Sequence, residues 1–139
     1  LRRGNDAIII SIGTMAQPSL KAAELLQQEN ISVGVVNMRF VKPLDGEILE
    51  QALAISPLVI TVEDNVVQGG FGSAVLEEIQ KKNIAPARVK IHGLPDSFVE
   101  HGTPQELYKQ LQLDADGIAE VVRKFLDEAK LDSIQKKTV

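Results

Sequence analysis

The feature that most constrains the fold is the middle of the chain, residues 58–79, where an apolar run leads through three glycines into a helical pattern. The first five residues, 58–62, are mostly β-branched and follow a proline, which is typical of a buried strand. Phe71, Val75 and Ile79 then recur at helical spacing, so a helix begins among the glycines. The stretch therefore predicts a strand, a sharp turn and a helix in direct succession.

Gly69, Gly70 and Gly72, with the adjoining Ser73, form a candidate anion site. A glycine-rich loop at a helix amino terminus exposes free N–H groups, and the helix dipole favours negative charge there. Known phosphate loops do not match, because no Lys-Ser or Lys-Thr pair follows the last glycine and Val75 replaces the third small residue of the dinucleotide fingerprint. Two interpretations stay open: a weak anion or protein-binding site, or glycines that only allow tight packing of the helix.

The chain before and after this stretch alternates strands with helices. The continuous apolar run at Ala7–Ile12 is typical of a strand that is covered on both faces. Thr14 with Gln17 predicts a capping box for the next helix, and Asp45 predicts the N-cap of the one after it. The other predicted strands are residues 31–36 and 88–91, and the first three helices are predicted to end near residues 28, 53 and 81.

The last third of the chain is predicted to be helical. Thr103 and Glu106 form a capping-box pattern around a proline that suits the first helical position. Asp114 predicts the cap of the final helix, whose apolar stripe ends at Ala129. Residues 130–139 lack this spacing, and we expect them to be a frayed tail outside the domain.

Strands separated by helices imply βαβ units and a parallel sheet. We predict an α/β fold, a three-layer α/β/α sandwich with its four strands in the order 2-1-3-4. Ligands of such sheets bind at the carboxyl ends of the strands where the strand order reverses, here between the first and third strands. Gly13, Thr14, Glu63 and Asp64 are expected at this crevice. The two carboxylates are either functional or, as we expect, an exposed acidic turn.

The composition argues against several classes of function. A net charge of −4 without a basic stripe speaks against nucleic-acid binding. The absence of cysteine excludes a disulfide framework and a thiolate zinc site, and no apolar run approaches the roughly 18 residues of a membrane span. His101 could titrate near neutral pH, but with His92 as the second imidazole of the chain we expect a solvated loop there. We predict no catalytic residue, no cofactor-binding residue and no metal ligand.

Four segments resemble a known family. They read RFVKPLD (residues 39–45), TVEDNVVQGGFGSAVLE (61–77), GLPDSFVEHGT (93–103) and LQLDADGIA (111–119). In this order they resemble the carboxyl-terminal domain of the 1-deoxy-D-xylulose-5-phosphate synthases, and the similarity covers residues 4–127. The first two segments are shared loosely with transketolases and with the beta subunits of pyruvate dehydrogenase-type enzymes, whereas the last two are more specific to the synthases.

The resemblance implies one domain of a larger enzyme, with a transketolase C-terminal-like domain over residues 1–129. Such synthases use thiamine diphosphate and magnesium to condense pyruvate with D-glyceraldehyde 3-phosphate, releasing carbon dioxide, at the start of non-mevalonate isoprenoid biosynthesis. The resemblance further implies that upstream domains bind the cofactor and that two subunits form a homodimer. It also implies that the enzyme is cytoplasmic in bacteria or located in plastids. This piece would then serve assembly and be inactive by itself, and an antiparallel edge strand would precede Gly4.

Two alternatives remain open. The chain could be the corresponding domain of a transketolase or of a pyruvate dehydrogenase-type beta subunit. It could also be a free-standing α/β module that binds an anion or a protein at the crevice. Because the sequence opens without a methionine, we expect a piece of a longer protein.

Overall fold

A computed structural model of the chain describes residues 2–84, 87–97 and 102–138. The elements are β1 (Ala7–Ile12), a 3₁₀ turn (Gly13–Met15), α1 (Ala16–Gln27), β2 (Val33–Met38), α2 (Gly46–Ile55), β3 (Leu58–Val66), α3 (Phe71–Lys81), β4 (Arg88–Leu94), α4 (Pro104–Gln110) and α5 (Ala115–Thr138). The strands form one parallel sheet in the order β2-β1-β3-β4, with helices on both faces. The predicted fold class and strand order are confirmed.

Two apolar clusters enclose the sheet, because successive residues of a strand point to opposite faces. On one face Ile9 lies in a cluster with Leu26 of α1 and Phe125 of α5. On the other face Ile10 lies in a cluster with Leu49 of α2 and with residues of α3. The strand β1 is therefore buried on both sides, which explains its uninterrupted apolar sequence.

The outer edge of β2 pairs with the start of the chain. The Arg2 N–H donates to the Val35 carbonyl at 3.0 Å, and the Val35 N–H donates to the Arg2 carbonyl at 2.9 Å, in an antiparallel bridge. A Cβ atom on Gly4 would lie 2.2 Å from the Gly34 nitrogen, so a glycine is needed where the two segments cross. The expected remnant of an antiparallel edge strand is present as this bridge.

The bounds of three strands differ from the prediction: β2 is shifted, and β3 and β4 are longer. The strand β2 begins at Val33, opposite Ala7, and both starts and ends two residues later than predicted. The strands β3 and β4 continue to Val66 and Leu94, which pair with each other beyond an irregularity that follows Val62. Pairing between neighbours sets these limits, and the extensions bring the acidic pair that follows Val62 into the sheet.

Predicted helix caps are confirmed at α2, α4 and α5. The Asp45 carboxylate accepts from the Ile48 N–H at 3.1 Å. Thr103 and Glu106 form the reciprocal capping box of α4. The Asp114 carboxylate accepts from a backbone N–H in the first turn of α5 at 2.8 Å. Each of these bonds spans three residues, so the local sequence is sufficient to predict it.

The predicted capping box of Thr14 with Gln17 is wrong. Gly13 adopts a left-handed φ of +61°, so the chain turns directly after β1 and passes through the 3₁₀ turn. The helix α1 starts only at Ala16, and no side chain caps it. The Thr14 side chain instead lies close to the phenol of Tyr108 in α4.

The helix α5 continues to Thr138, so the prediction that residues 130–138 fray is wrong. The Arg88 guanidinium, at the start of β4, forms an ion pair with Asp132 in this part of the helix. Leu131 is 60% exposed, and the apolar stripe that faces the core therefore does not extend this far. The domain boundary before this segment stays a prediction. Neither α5 nor any other helix in the described part of the chain combines the length and the apolarity that crossing a membrane requires.

Candidate functional site

Glu63 is the central residue of the crevice edge, and its side chain is 0% exposed. Its carboxylate accepts two backbone hydrogen bonds at the start of α3, from the Phe71 N–H at 2.8 Å and from the Gly72 N–H at 3.0 Å. The expected exposed acidic turn is therefore wrong for Glu63, although Asp64 is exposed as expected. The difference arises because β3 continues past its predicted end, and alternation turns Glu63 towards α3.

Glycines provide the space that the Glu63 side chain occupies. A Cβ atom on Gly70 would lie 2.3 Å from Glu63 Oε2, and one on Gly93 would lie 2.7 Å from Glu63 Cγ. At Gly72 a Cβ atom would lie 2.7 Å from Thr61 Oγ1, between the helix and the sheet. Gly93 was not predicted to belong to the site, although an isolated glycine in a strand often marks the close approach of another group.

The carboxylate of Glu63 takes the position that a bound anion would occupy at this helix amino terminus. Backbone N–H groups and the positive end of the helix dipole favour a negative charge there, and the chain supplies that charge itself. Gly69 adopts a left-handed φ of +68°, and the Ser73 hydroxyl donates to the Val67 carbonyl at 3.2 Å, so both residues shape the loop. This geometry supports the interpretation in which the glycines serve close packing.

The crevice between β1 and β3 is bridged by Tyr108 of α4. Its phenol donates a hydrogen bond to the Asp64 carboxylate and lies close to the side chain of Thr14. The bond to the carboxylate raises the pKa of Tyr108, since ionisation would place two negative charges together. Gly13, Thr14 and Asp64 are thus brought together as predicted from the topology. Nothing in the local sequence indicated Tyr108, because only the packing of α4 places its side chain there.

Of the two histidines, the candidate His101 lies outside the described residues. His92 Nε2 lies 2.7 Å from the Gln112 carbonyl oxygen, which can only accept, so this nitrogen carries a proton. Burial lowers the pKa of His92, and the bond to Gln112 partly opposes that shift. Among residues 2–84, 87–97 and 102–138, no three His, Asp or Glu side chains are grouped so that they could hold a metal ion.

At the carboxyl edge of the sheet, Tyr108 thus binds Asp64 of β3, and the Glu63 carboxylate occupies the amino terminus of α3. A family model described as "Transketolase, C-terminal domain" matches residues 1–118. The chain belongs to the transketolase C-terminal domain family. The matched region includes every residue of the crevice that is described above, from Gly13 to Tyr108.

Two curated relatives are similar to this transketolase C-terminal domain over most of its length. The chain is 46% identical over 133 residues to the 1-deoxy-D-xylulose-5-phosphate synthase of Syntrophotalea carbinolica, which covers 96% of this chain and 21% of that protein. It is 46% identical over 126 residues to 1-deoxy-D-xylulose-5-phosphate synthase 1 of Geobacter sulfurreducens, which covers 91% of this chain and 20% of that protein. The chain therefore spans about a fifth of the length of these curated relatives.

A solved structure shares the fold of this transketolase C-terminal domain. It is described as "Split gene transketolase, inactive beta4 tetramer", and it superposes with a TM-score of 0.82 at 36% identity. The superposition covers 91% of this chain and 41% of that chain.

Proposed function

We propose that this chain is the carboxyl-terminal domain of a 1-deoxy-D-xylulose-5-phosphate synthase. The parent enzyme would condense pyruvate with D-glyceraldehyde 3-phosphate, with release of carbon dioxide, as a homodimer in the bacterial cytoplasm. The observation that carries the proposal is the 46% identity to such a synthase across nearly the whole chain. The lower identity of 36% to the split gene transketolase favours the synthase over a transketolase.

The role that we propose for this domain is assembly rather than chemistry. The two features that would serve a ligand, the start of α3 and the crevice between β1 and β3, are used by internal side chains. The Glu63 carboxylate accepts hydrogen bonds from the free N–H groups at the start of α3, and the Tyr108 phenol donates one to the Asp64 carboxylate. When the polar groups of the crevice bind each other, the outer surface of the domain remains for contacts with other parts of the enzyme.

The described residues do not fit thiamine diphosphate and magnesium, the groups that such an enzyme requires. A diphosphate needs free donors, and the N–H groups at the start of α3 already bind the carboxylate of Glu63. Magnesium at such a cofactor is held partly by the phosphates themselves, and among the described residues no three His, Asp or Glu side chains are grouped to hold a metal ion without them. We therefore assign no step of the reaction to residues of this chain and propose that upstream domains hold both groups.

The proposal is tested by the parent gene and by calorimetry. The parent reading frame should encode roughly 600 residues, since the matched region makes up 21% of the relative, and the upstream part should carry the thiamine-binding motifs. Titration of this chain with thiamine diphosphate and magnesium should give no heat of binding, whereas the intact parent should release carbon dioxide from pyruvate and glyceraldehyde 3-phosphate. Micromolar binding by this chain, or a parent without synthase activity, would refute the assignment.

A further inference from the structure

Phe40 is the most exposed large apolar side chain among the described residues, with 67% of its surface accessible. It lies in the connection between β2 and α2, at the carboxyl edge of the sheet. An aromatic side chain in water gains stability when another surface covers it. Contact with another surface would therefore stabilise this position.

The connection that carries Phe40 is fixed at both ends. Met38 is buried at the end of β2, and Val41 and Leu44 pack against the apolar cluster on the α2 and α3 face of the sheet. Asp45 then caps α2. Because the residues on either side of Phe40 are anchored, the fold presents this ring to the outside in a defined position.

Two exposed cations flank the ring, Arg39 and Lys42. Neither lies within ion-pair distance of a carboxylate in the described part of the chain, whereas Lys82 pairs with Glu50 at 2.7 Å and Arg123 pairs with Glu29. The whole chain carries a net charge of −4, so a local excess of positive charge stands out. Aromatic residues and arginine are enriched at the energetic centres of protein interfaces.

We propose that Arg39, Phe40 and Lys42 form the surface by which this domain docks onto the rest of its own polypeptide. The complementary surface is an apolar pocket for the ring, bordered by carboxylates for the two cations. This inference rests on the proposed function, under which about four fifths of the parent lies outside this chain. A covalently linked neighbour is present at a high effective concentration, and this favours it as the occupant of the surface.

Hydroxyl-radical footprinting of the intact parent and of this chain tests the docking. Phe40 should be oxidised at least about 10-fold more slowly in the intact parent, because its ring is then covered. In the parent, Phe40→Ala should accelerate amide exchange of residues 39–42 by about 30-fold, the effect of losing one interface hot spot. Leu131→Ala is the matched control, since Leu131 is 60% exposed but lies far along α5, and it should leave that exchange within about 2-fold.

A double charge reversal tests the contribution of the two cations to docking separately from that of the Phe40 ring. Arg39→Glu combined with Lys42→Glu should accelerate the same exchange, and Lys124→Glu combined with Lys130→Glu on α5 should not. All four substitutions affect exposed side chains, so the melting temperature of this chain should remain nearly unchanged. A lowered melting temperature would reveal a folding defect, which is thereby distinguished from a loss of docking.

Each outcome decides the proposal. Equal oxidation of Phe40 in the parent and in this chain, or equal effects of Phe40→Ala and Leu131→Ala, would show that the docking surface is wrong while an active parent still supports the proposed function. Protection of Phe40 in this chain alone, together with sedimentation as a dimer, would identify a second copy as the occupant and overturn the proposal. A parent without synthase activity would remove the proposed function itself.

Discussion

Replacement of Glu63 by glutamine should reveal how much the internal carboxylate stabilises the domain. The carboxylate accepts from two buried N–H groups, at 2.8 and 3.0 Å, and glutamine has only one acceptor oxygen. One of the two N–H groups would then face an amide NH₂ group and lose its partner. An unsatisfied buried donor costs about 1–3 kcal/mol, and loss of the negative charge at the helix amino terminus costs about 0.3–1 kcal/mol.

A third contribution to the stability of the variant has the opposite sign, because burial of a neutral amide costs less free energy than burial of a carboxylate does. We therefore expect Glu63→Gln to lower the free energy of unfolding by about 2 kcal/mol, which for a domain of this size lowers the melting temperature by about 5–8 °C. Glu63→Ala leaves both donors unpaired, and we expect a loss of about 4 kcal/mol. Against a typical total of about 5–15 kcal/mol, the alanine variant is close to unfolding, so the glutamine variant is the more informative one.

The assay is urea and thermal unfolding followed by circular dichroism. Glu77→Gln is the matched control, because Glu77 is exposed on the same helix and its replacement should change stability by less than about 0.5 kcal/mol. In Glu63→Ala, added formate should raise the melting temperature by occupying the vacated carboxylate position, and it should not do so in the unsubstituted chain. If Glu63→Gln melts at or above the temperature of the unsubstituted chain, the carboxylate costs more to bury than it returns, and our account of the site is wrong.

Two further predictions concern titrating groups. Tyr108 is the only tyrosine and the chain has no tryptophan, so phenolate absorbance reports this residue directly: its midpoint should lie above pH 10, and Asp64→Asn should lower it. An unchanged midpoint would contradict the hydrogen bond. The pKa of His92 is lowered by burial, so below about pH 6.5 the unfolded chain binds a proton that the folded chain does not, and the free energy of unfolding should fall as the pH falls. His92→Asn should flatten this dependence in urea melts between about pH 5 and 8, and a slope that persists in the variant would exclude His92 as its source.

The succession of strands and helices and the strand order of the sheet could be predicted from the amino-acid sequence. Both follow from local patterns and from general rules of chain connection: apolar runs between helical repeats imply βαβ units, and these units prescribe a parallel sheet. The caps at Asp45 and Thr103 were predictable for the same reason, because the bonded groups are three residues apart. The candidate loops at the crevice could also be located, since topology brings the carboxyl ends of neighbouring strands to one edge.

The contacts that those loops make could not be predicted, because they depend on how the elements pack together. Glu63 and Asp64 are adjacent and chemically similar, yet Glu63 is buried against α3 and Asp64 is exposed, because β3 continues past Val62 and successive side chains of a strand point to opposite faces. The partner of Asp64, Tyr108, lies 44 residues further along the chain. No local pattern encodes a contact over that distance, because it exists only after α4 has packed against the sheet.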